Sequence, residues 1–264
     1  MTVSEYRAHP ALNFSLAKHL LKSPAHFKAA MDEEREETDA MRIGTLAHAM
    51  ILEGKDLRDM YAIKPAGMSF ATKEGKAWRD AQTLQILKEE DSNMIPKAAQ
   101  AITENPHAEA FIKGCQHREM AIVGTIMGVP CKALLDLCGT NGVLWAIGDL
   151  KTCQDASPKA FARDVYNRDY DLQMVWYSTL LANAEGLEEP PYWNWISVEK
   201  TAPFVNAVYT GRDFIESGMR KMETVLDRFK ECTASGVWPM PYRGIIDLVK
   251  PDWARGNAYS EVAP

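Results

Sequence analysis

Leu134-Leu-Asp136-Leu-Cys-Gly-Thr140-Asn141-Gly142-Val-Leu-Trp-Ala-Ile-Gly-Asp149-Leu-Lys151-Thr152 sets two apolar runs on either side of an Asn-Gly pair. Asn-Gly between such runs is the strongest short hairpin signal, because both residues tolerate the positive φ of a tight turn. A two-residue turn puts Asp136 opposite Ile147, with Asp149 as its diagonal neighbour on the same face. Lys151, two residues further on, shares that face. Diagonal neighbours stand about 7–8 Å apart, close enough for two carboxylates to hold one cation. Unpaired charges are costly to bury, and a divalent metal between the carboxylates offsets the cost. Taken alone, the pattern also fits an exposed hairpin with solvated charges.

Three further segments bear on that choice. In Gly44-Thr-Leu-Ala-His48, the first and last residues are four apart and share one helical face. A small Gly44 lets that face approach a neighbour, and His48 then offers either a metal-binding nitrogen or an ordinary core imidazole. Gln173-Met-Val-Trp-Tyr177 likewise puts Gln173 and Tyr177 one turn apart, on what could be a plain amphipathic helix. Asn13-Phe-Ser15 opens a helical pattern with Ser15 as the expected N-cap, and Ser23-Pro24 follows.

Asp-x12-Asp-x-Lys on a hairpin resembles the core of the PD-(D/E)XK nuclease superfamily, although Leu135 stands where a proline often precedes the first acid. G-x-x-x-H before the hairpin and Q-x-x-x-Y after it resemble the RecB-type and RecE-type clade, as does the opening helix with its Ser-Pro. The four elements run in family order from Asn13 to Tyr177. The fit is best to the RecE-type (exodeoxyribonuclease VIII-like) branch. Lambda exonuclease is a more distant likeness, with Glu in place of His48 and of Asp149.

The resemblance implies an α/β fold with a central mixed sheet flanked by helices. It implies a Mg²⁺ site, with Mn²⁺ as substitute, held by His48, Asp136, Asp149 and the Leu150 carbonyl. Lys151 would act on the attacking water or on the charge of the transition state, and Gln173 and Tyr177 would hold the DNA backbone or orient Lys151. The implied activity is 5′-to-3′ degradation of one strand of linear duplex DNA, leaving 3′ tails for phage-type recombination. Implied partners are DNA ends, a single-strand annealing protein of RecT type, and further copies of the chain in a trimeric or tetrameric ring. A 5′-phosphate pocket is expected near the first helix, with Ser15, Arg7 and His9 as candidates. The alternatives are an endonuclease on the same core and a non-catalytic DNA-end-binding subunit.

Composition sets the remaining bounds. At 264 residues, 46% hydrophobic and 25% charged, the chain reads as one globular nuclease domain over 1–264. A helical part is expected over about 1–115, the catalytic sheet and its helix over about 116–210, and a C-terminal helix and tail over 211–264. No apolar run reaches the roughly 20 residues of a membrane span. The N-terminus lacks a signal-peptide pattern, so the expected location is cytoplasmic. Five cysteines without a C-x-x-C pair point to reduced thiols, no zinc and no disulfide frame. Only Cys232 follows Tyr177, which leaves no ligands for an iron–sulphur cluster. The net charge of −6 weighs mildly against nucleic-acid binding. It is segregated, however: Arg7, Lys18, Lys22 and Lys28 face one acid before residue 32, and six acids crowd 32–39. That acidic block reads as a solvated helix end.

The expected layout has helices over Ser15–Arg35, Asp39–Glu53 and Lys73–Glu90. Short proline-opened helices follow at Pro96 and Pro106. Strands are expected from Glu119 to Val129, in the hairpin, and at Trp193–Val198 and Val205–Tyr209. Helices are expected over Asp171–Asn183 and Gly211–Ser235, the latter with a core stripe through Phe214, Ile215, Met219, Met222, Val225, Leu226 and Phe229. Glu119, at the start of its strand, reads as a surface charge rather than a support for the site.

Overall fold

The fold is that of a computed structural model describing residues 1–33, 39–242 and 244–251, without the side chains of 39–41. Most of the acidic block and Arg35 therefore lie outside the described residues. The chain opens with α1 (Val3–Ala8), β1 (Leu12–Asn13), the short α2 (Phe14–Ala17) and α3 (His19–Lys22), and α4 (Pro24–Asp32). There follow α5 (Asp39–Ile51), α6 (Leu57–Met60), β2 (Ala62–Ile63), α7 (Lys73–Asp80), β3 (Ile86–Leu87), α8 (Glu89–Glu104) and α9 (Pro106–Gly114). The sheet and its helices come next: β4 (His117–Ile126), β5 (Val129–Thr140), β6 (Trp145–Cys153), α10 (Pro158–Asn167), α11 (Tyr170–Glu185), β7 (Tyr192–Glu199), β8 (Asn206–Tyr209) and α12 (Ile215–Ser235).

The result is the expected α/β architecture, a mixed sheet between helices. β5 pairs antiparallel with β4 and β6, β6 runs parallel to β7, and β7 pairs antiparallel with β8. β4 covers one edge of β5. The other edge is shared by β1, at Cys131 and Lys132, and β6, from Leu137 onward. Residues 133–136 lie between them with no strand partner on that edge among the described residues. One face of the sheet packs against α2–α4, α11 and α12, through Phe14, Leu20, Trp176 and Leu226. The other packs against α5, α8 and α9, through Ala47, Ile102 and Phe111.

Several expected boundaries are corrected. The hairpin loop has four residues, Asn141–Leu144, because Thr140 pairs with Trp145. Asn141 folds the loop with its side chain, accepting from the amides of Val143 and Leu144. The register therefore moves: the ladder ends at Leu137–Gly148, and Asp136 and Asp149 are the next residues on their strands. They are opposite each other rather than diagonal. The first long helix is three short ones. Asn13, not Ser15, caps α2 by accepting from the Leu16 amide, and extended Ser23 before Pro24 forces a break. The stretch expected as Lys73–Glu90 is α7, then β3, then the start of α8. Pro96 lies inside α8 instead of opening a helix, since burial of Ile95, Ala98 and Ile102 outweighs the proline penalty. In α12, Met222, Val225 and Leu226 are buried, but Ile215 and Met219 are exposed. Gly236, at φ 70°, ends it.

Candidate metal and catalytic site

The charged residues of the hairpin converge where the ladder opens. Asp136 Oδ2 accepts the Leu150 N–H at 2.9 Å, a bond across the gap in place of a ladder bond. Asp149 is almost wholly buried, 1% exposed. Its Oδ1 accepts from Gln173 Nε2 at 2.9 Å, and Lys151 Nζ stands 2.6 Å from its Oδ2. Among the described residues that ammonium is the partner of the second oxygen, so its satisfaction rests on the ion pair. Lys151 also lies 4.6 Å from the Tyr170 ring centroid. Burial pulls its ammonium pKa down, but Asp149 and Asp136 more than offset this, and the net shift is upward.

His48 arrives from the opposite face on α5. Its Nε2 is 3.1 Å from the Leu150 carbonyl oxygen and 3.5 Å from Asp136 Oδ2, and its Nδ1 is 3.9 Å from Glu119 Oε1. Burial opposes protonation of this imidazole, but Asp136 and Glu119 outweigh it and raise the pKa to about 9. Burial raises the Asp136 carboxyl to about 6, against the pull of His48.

Glu119 is thus no outlying surface charge. It sits on β4 between Arg118, which pairs with Leu137, and Met120, which pairs with Leu135. That position faces Asp136 across the strands. Its backbone is left-handed, φ 50°, a conformation that a non-glycine residue rarely adopts in a strand. Ligand atoms of His48, Glu119 and Asp136 lie within 4.8 Å of one another. Tyr6 of α1 packs nearby: burial, with the Glu119 charge adding, pushes its phenol up to about 12. Lys132 latches α1 to β5, donating to the carbonyls of Tyr6 at 2.8 Å and His9 at 2.6 Å. Glu119, Tyr170 and Tyr6 carry no motif of their own. Glu119 was readable only through the β4–β5 register, once the turn at Met127-Gly128 is set.

The donors suit a hard divalent cation. Carboxylates, a carbonyl and one imidazole are the ligands that Mg²⁺ and Mn²⁺ accept, and no thiolate takes part. Asp149 Oδ2 already faces the Lys151 ammonium at 2.6 Å, so a metal there would share that carboxylate with the lysine. Asp136, His48 and Glu119 form the tighter group, while Asp149 is turned toward Lys151 and Gln173.

Other proposed site residues are placed less centrally. Tyr177 is buried one turn after Gln173 and packs edge-on against Phe14 and Trp193. Arg7 and Ser15 are exposed, on α1 and α2. His9 uses Nδ1 to accept the Ala11 amide. An apolar groove of about 1380 Å³ beside Trp145 and Tyr192, at the start of β6 and β7, lies away from the charged cluster.

Residues 13–251 match the model of a family described as a PDDEXK-like domain of unknown function (DUF3799). A crystal structure of a candidate exonuclease from Eubacterium rectale is similar over 90% of this chain and 88% of that one, with 15% identity and a TM-score of 0.65. At that identity the likeness is one of fold. The structure of SSO0001 aligns over 88% of this chain and 87% of that one at 10% identity, but its TM-score of 0.30 carries no argument. No curated protein matches the chain. Family and fold together support a nuclease.

Proposed function

The chain belongs to the PDDEXK-like family that its residues 13–251 match, and on that premise we propose that it is a Mg²⁺-dependent exodeoxyribonuclease acting on linear duplex DNA. The observation that carries the reading is the meeting of Asp136, Asp149, Lys151 and His48 at one break in the sheet, reached by a helix from each face. A cation held there by His48, Asp136, Asp149, Glu119 and the Leu150 carbonyl would polarise the scissile phosphate and acidify a water. Lys151 stays charged beside Asp149, so its ammonium orients the attacking water or steadies the negative charge that develops on the phosphate. Gln173 fixes the Asp149 carboxylate, and Tyr177 is buried one turn further along the same helix.

The direction proposed, 5′ to 3′ with a 3′ tail as product, is the one that the resemblance to RecE-type enzymes implies. The same reading makes the active form a trimeric or tetrameric ring, supplying tails to a RecT-type annealing protein in the cytoplasm. A ring suits a chain of net charge −6, because enclosure sustains processive contact where electrostatic attraction is weak.

The test is hydrolysis of end-labelled linear duplex and covalently closed circular duplex, with Mg²⁺ and with EDTA. Linear DNA is expected to shorten from its 5′ ends while circles survive. Nicking of closed circles would overturn the exonuclease in favour of an endonuclease, and inertness toward both would overturn the nuclease itself.

A further inference from the structure

Between α5 and α8 the chain builds a small lobe from β2, α7 and β3, with β2 and β3 parallel in a sheet of their own. Composition sets this lobe apart. From Tyr61 to Lys88 it carries Lys64, Lys73, Lys76, Arg79 and Lys88 against only Glu74 and Asp80, in a chain that is acidic as a whole. Arg79 is engaged by Asp80 at 2.8 Å. Lys73 and Lys76 are exposed on α7.

The lobe also mounts an aromatic pair with care. Phe70 and Trp78 stack with centroids 6.2 Å apart and planes 13° from parallel, and Lys64 Nζ lies 5.2 Å from the Phe70 centroid. Three contacts fix the mount. Thr72 caps α7 by accepting the Gly75 amide at 3.0 Å, and its hydroxyl donates to the Ser69 carbonyl at 2.9 Å. Gly75 presses on the Ser69–Phe70 turn so closely that a Cβ would stand 2.0 Å from the Ser69 oxygen. Both rings remain partly open to solvent.

Placement ties the lobe to the site. Leu57, Tyr61 and Leu87 share a core with Leu46 and Met50, which flank His48 on α5. The lobe is thus seated on the side of α5 away from the sheet, with the helix that carries His48 between it and the charged cluster.

We infer that this lobe is a DNA-contact surface, with Lys73 and Lys76 meeting backbone phosphates and the Phe70–Trp78 pair offering a face to an exposed base or sugar. The inference rests on the nuclease reading for its ligand. Cations interleaved with aromatics match a polyanion with stackable bases, and the charge contrast with the rest of the chain points the same way.

The test is anisotropy of a fluorescent blunt duplex, titrated with the full-length protein in EDTA so that binding is read without hydrolysis. Lys73→Gln/Lys76→Gln is expected to weaken binding roughly ten- to hundredfold at about 0.1 M salt, and to reduce the slope of log affinity against log salt by about 2. Trp78→Leu is expected to weaken a duplex with a single-stranded end more than a blunt one. Hydrolysis of thymidine 5′-p-nitrophenyl phosphate with Mn²⁺ should be unchanged in the double lysine variant, since that ester is too small to reach the lobe. Equal affinity and equal salt slope in the lysine variant would overturn the lobe and leave the nuclease standing. A wild-type protein that binds DNA through these lysines yet never hydrolyses it would overturn the nuclease reading instead.

Discussion

Gln173 Nε2 donates to Asp149 Oδ1 at 2.9 Å, so a helix on one face of the sheet sets the angle of a carboxylate on the strand beneath it. The other oxygen of that carboxylate faces Lys151 at 2.6 Å. Without the amide, Asp149 is free to rotate toward the ammonium. Outer partners of this kind are worth about 10–100-fold in metal affinity or activity. Gln173→Ala is expected to lower Mg²⁺-supported hydrolysis by that factor, with the folded state retained by circular dichroism. Undiminished turnover at limiting Mg²⁺ would refute the orienting role.

Metal binding and chemistry should separate between two variants. Asp136→Asn removes a charge shared by the His48 and Leu150 contacts, so the stabilisation by Mn²⁺ should vanish with it. In the wild type that stabilisation is about 2.7 kcal/mol at a hundredfold excess over Kd, several degrees in Tm. Lys151→Met leaves the carboxylates in place. It should keep the Mn²⁺-induced rise in Tm while hydrolysis falls by at least about a hundredfold. A lysine variant that cuts at the wild-type rate would reduce Lys151 to a buried counter-ion for Asp149.

The sheet and its acidic hairpin were legible because strand signals are local: apolar runs, an Asn-Gly pair, and acids at fixed spacing. The hairpin register was not. Asn141 uses its side chain to fold a four-residue loop, and two extra residues in a turn move every pairing on the strand. Pro96 misled for a similar reason, since local preference marks a helix start and only the burial of Ile95 and Ile102 carries α8 through it. His48, Gln173 and Tyr177 could be named because each shares a helical face with a motif partner. Glu119 and Tyr170 have no such partner, and only the strand register and the packing of α11 bring them to the site.

Away from the site, Lys221 is the counter-charge for a deeply buried acid. Its ammonium donates to Asp171 Oδ1 and reaches Asp169, each at 2.8 Å, and Ser217 satisfies the other Asp171 oxygen. Lys221→Met strands that carboxylate, a loss of about 3–5 kcal/mol. Burial alone would lower the Lys221 pKa, but the two carboxylates raise it above its ordinary value. A raised lysine contributes stability that is complete below its unfolded pKa of about 10.4 and lost as pH climbs through the folded value. Urea midpoints should therefore fall above about pH 10.4 in the wild type, and fall less in Lys221→Met. Equal alkaline loss in both proteins would mean that other groups control it.

Glu119 offers the sharpest contrast between stability and function. Its left-handed φ of 50° is a conformation glycine adopts freely and other residues adopt at a cost of about 1 kcal/mol or more. Its carboxylate lies beside His48 and opposite Asp136, where a cation would hold all three. A strained residue retained at such a position is explained if the carboxylate serves the metal. Glu119→Gly should then relieve the strain and raise the metal-free Tm, while the further rise on adding Mn²⁺ shrinks. Glu119→Ala removes the same carboxylate without the relief, so its Mn²⁺ response should shrink to the same extent while it gains no stability. If Glu119→Gly keeps the full Mn²⁺ response, Glu119 is not a ligand, and its contact with His48 is an ion pair of the apo protein alone.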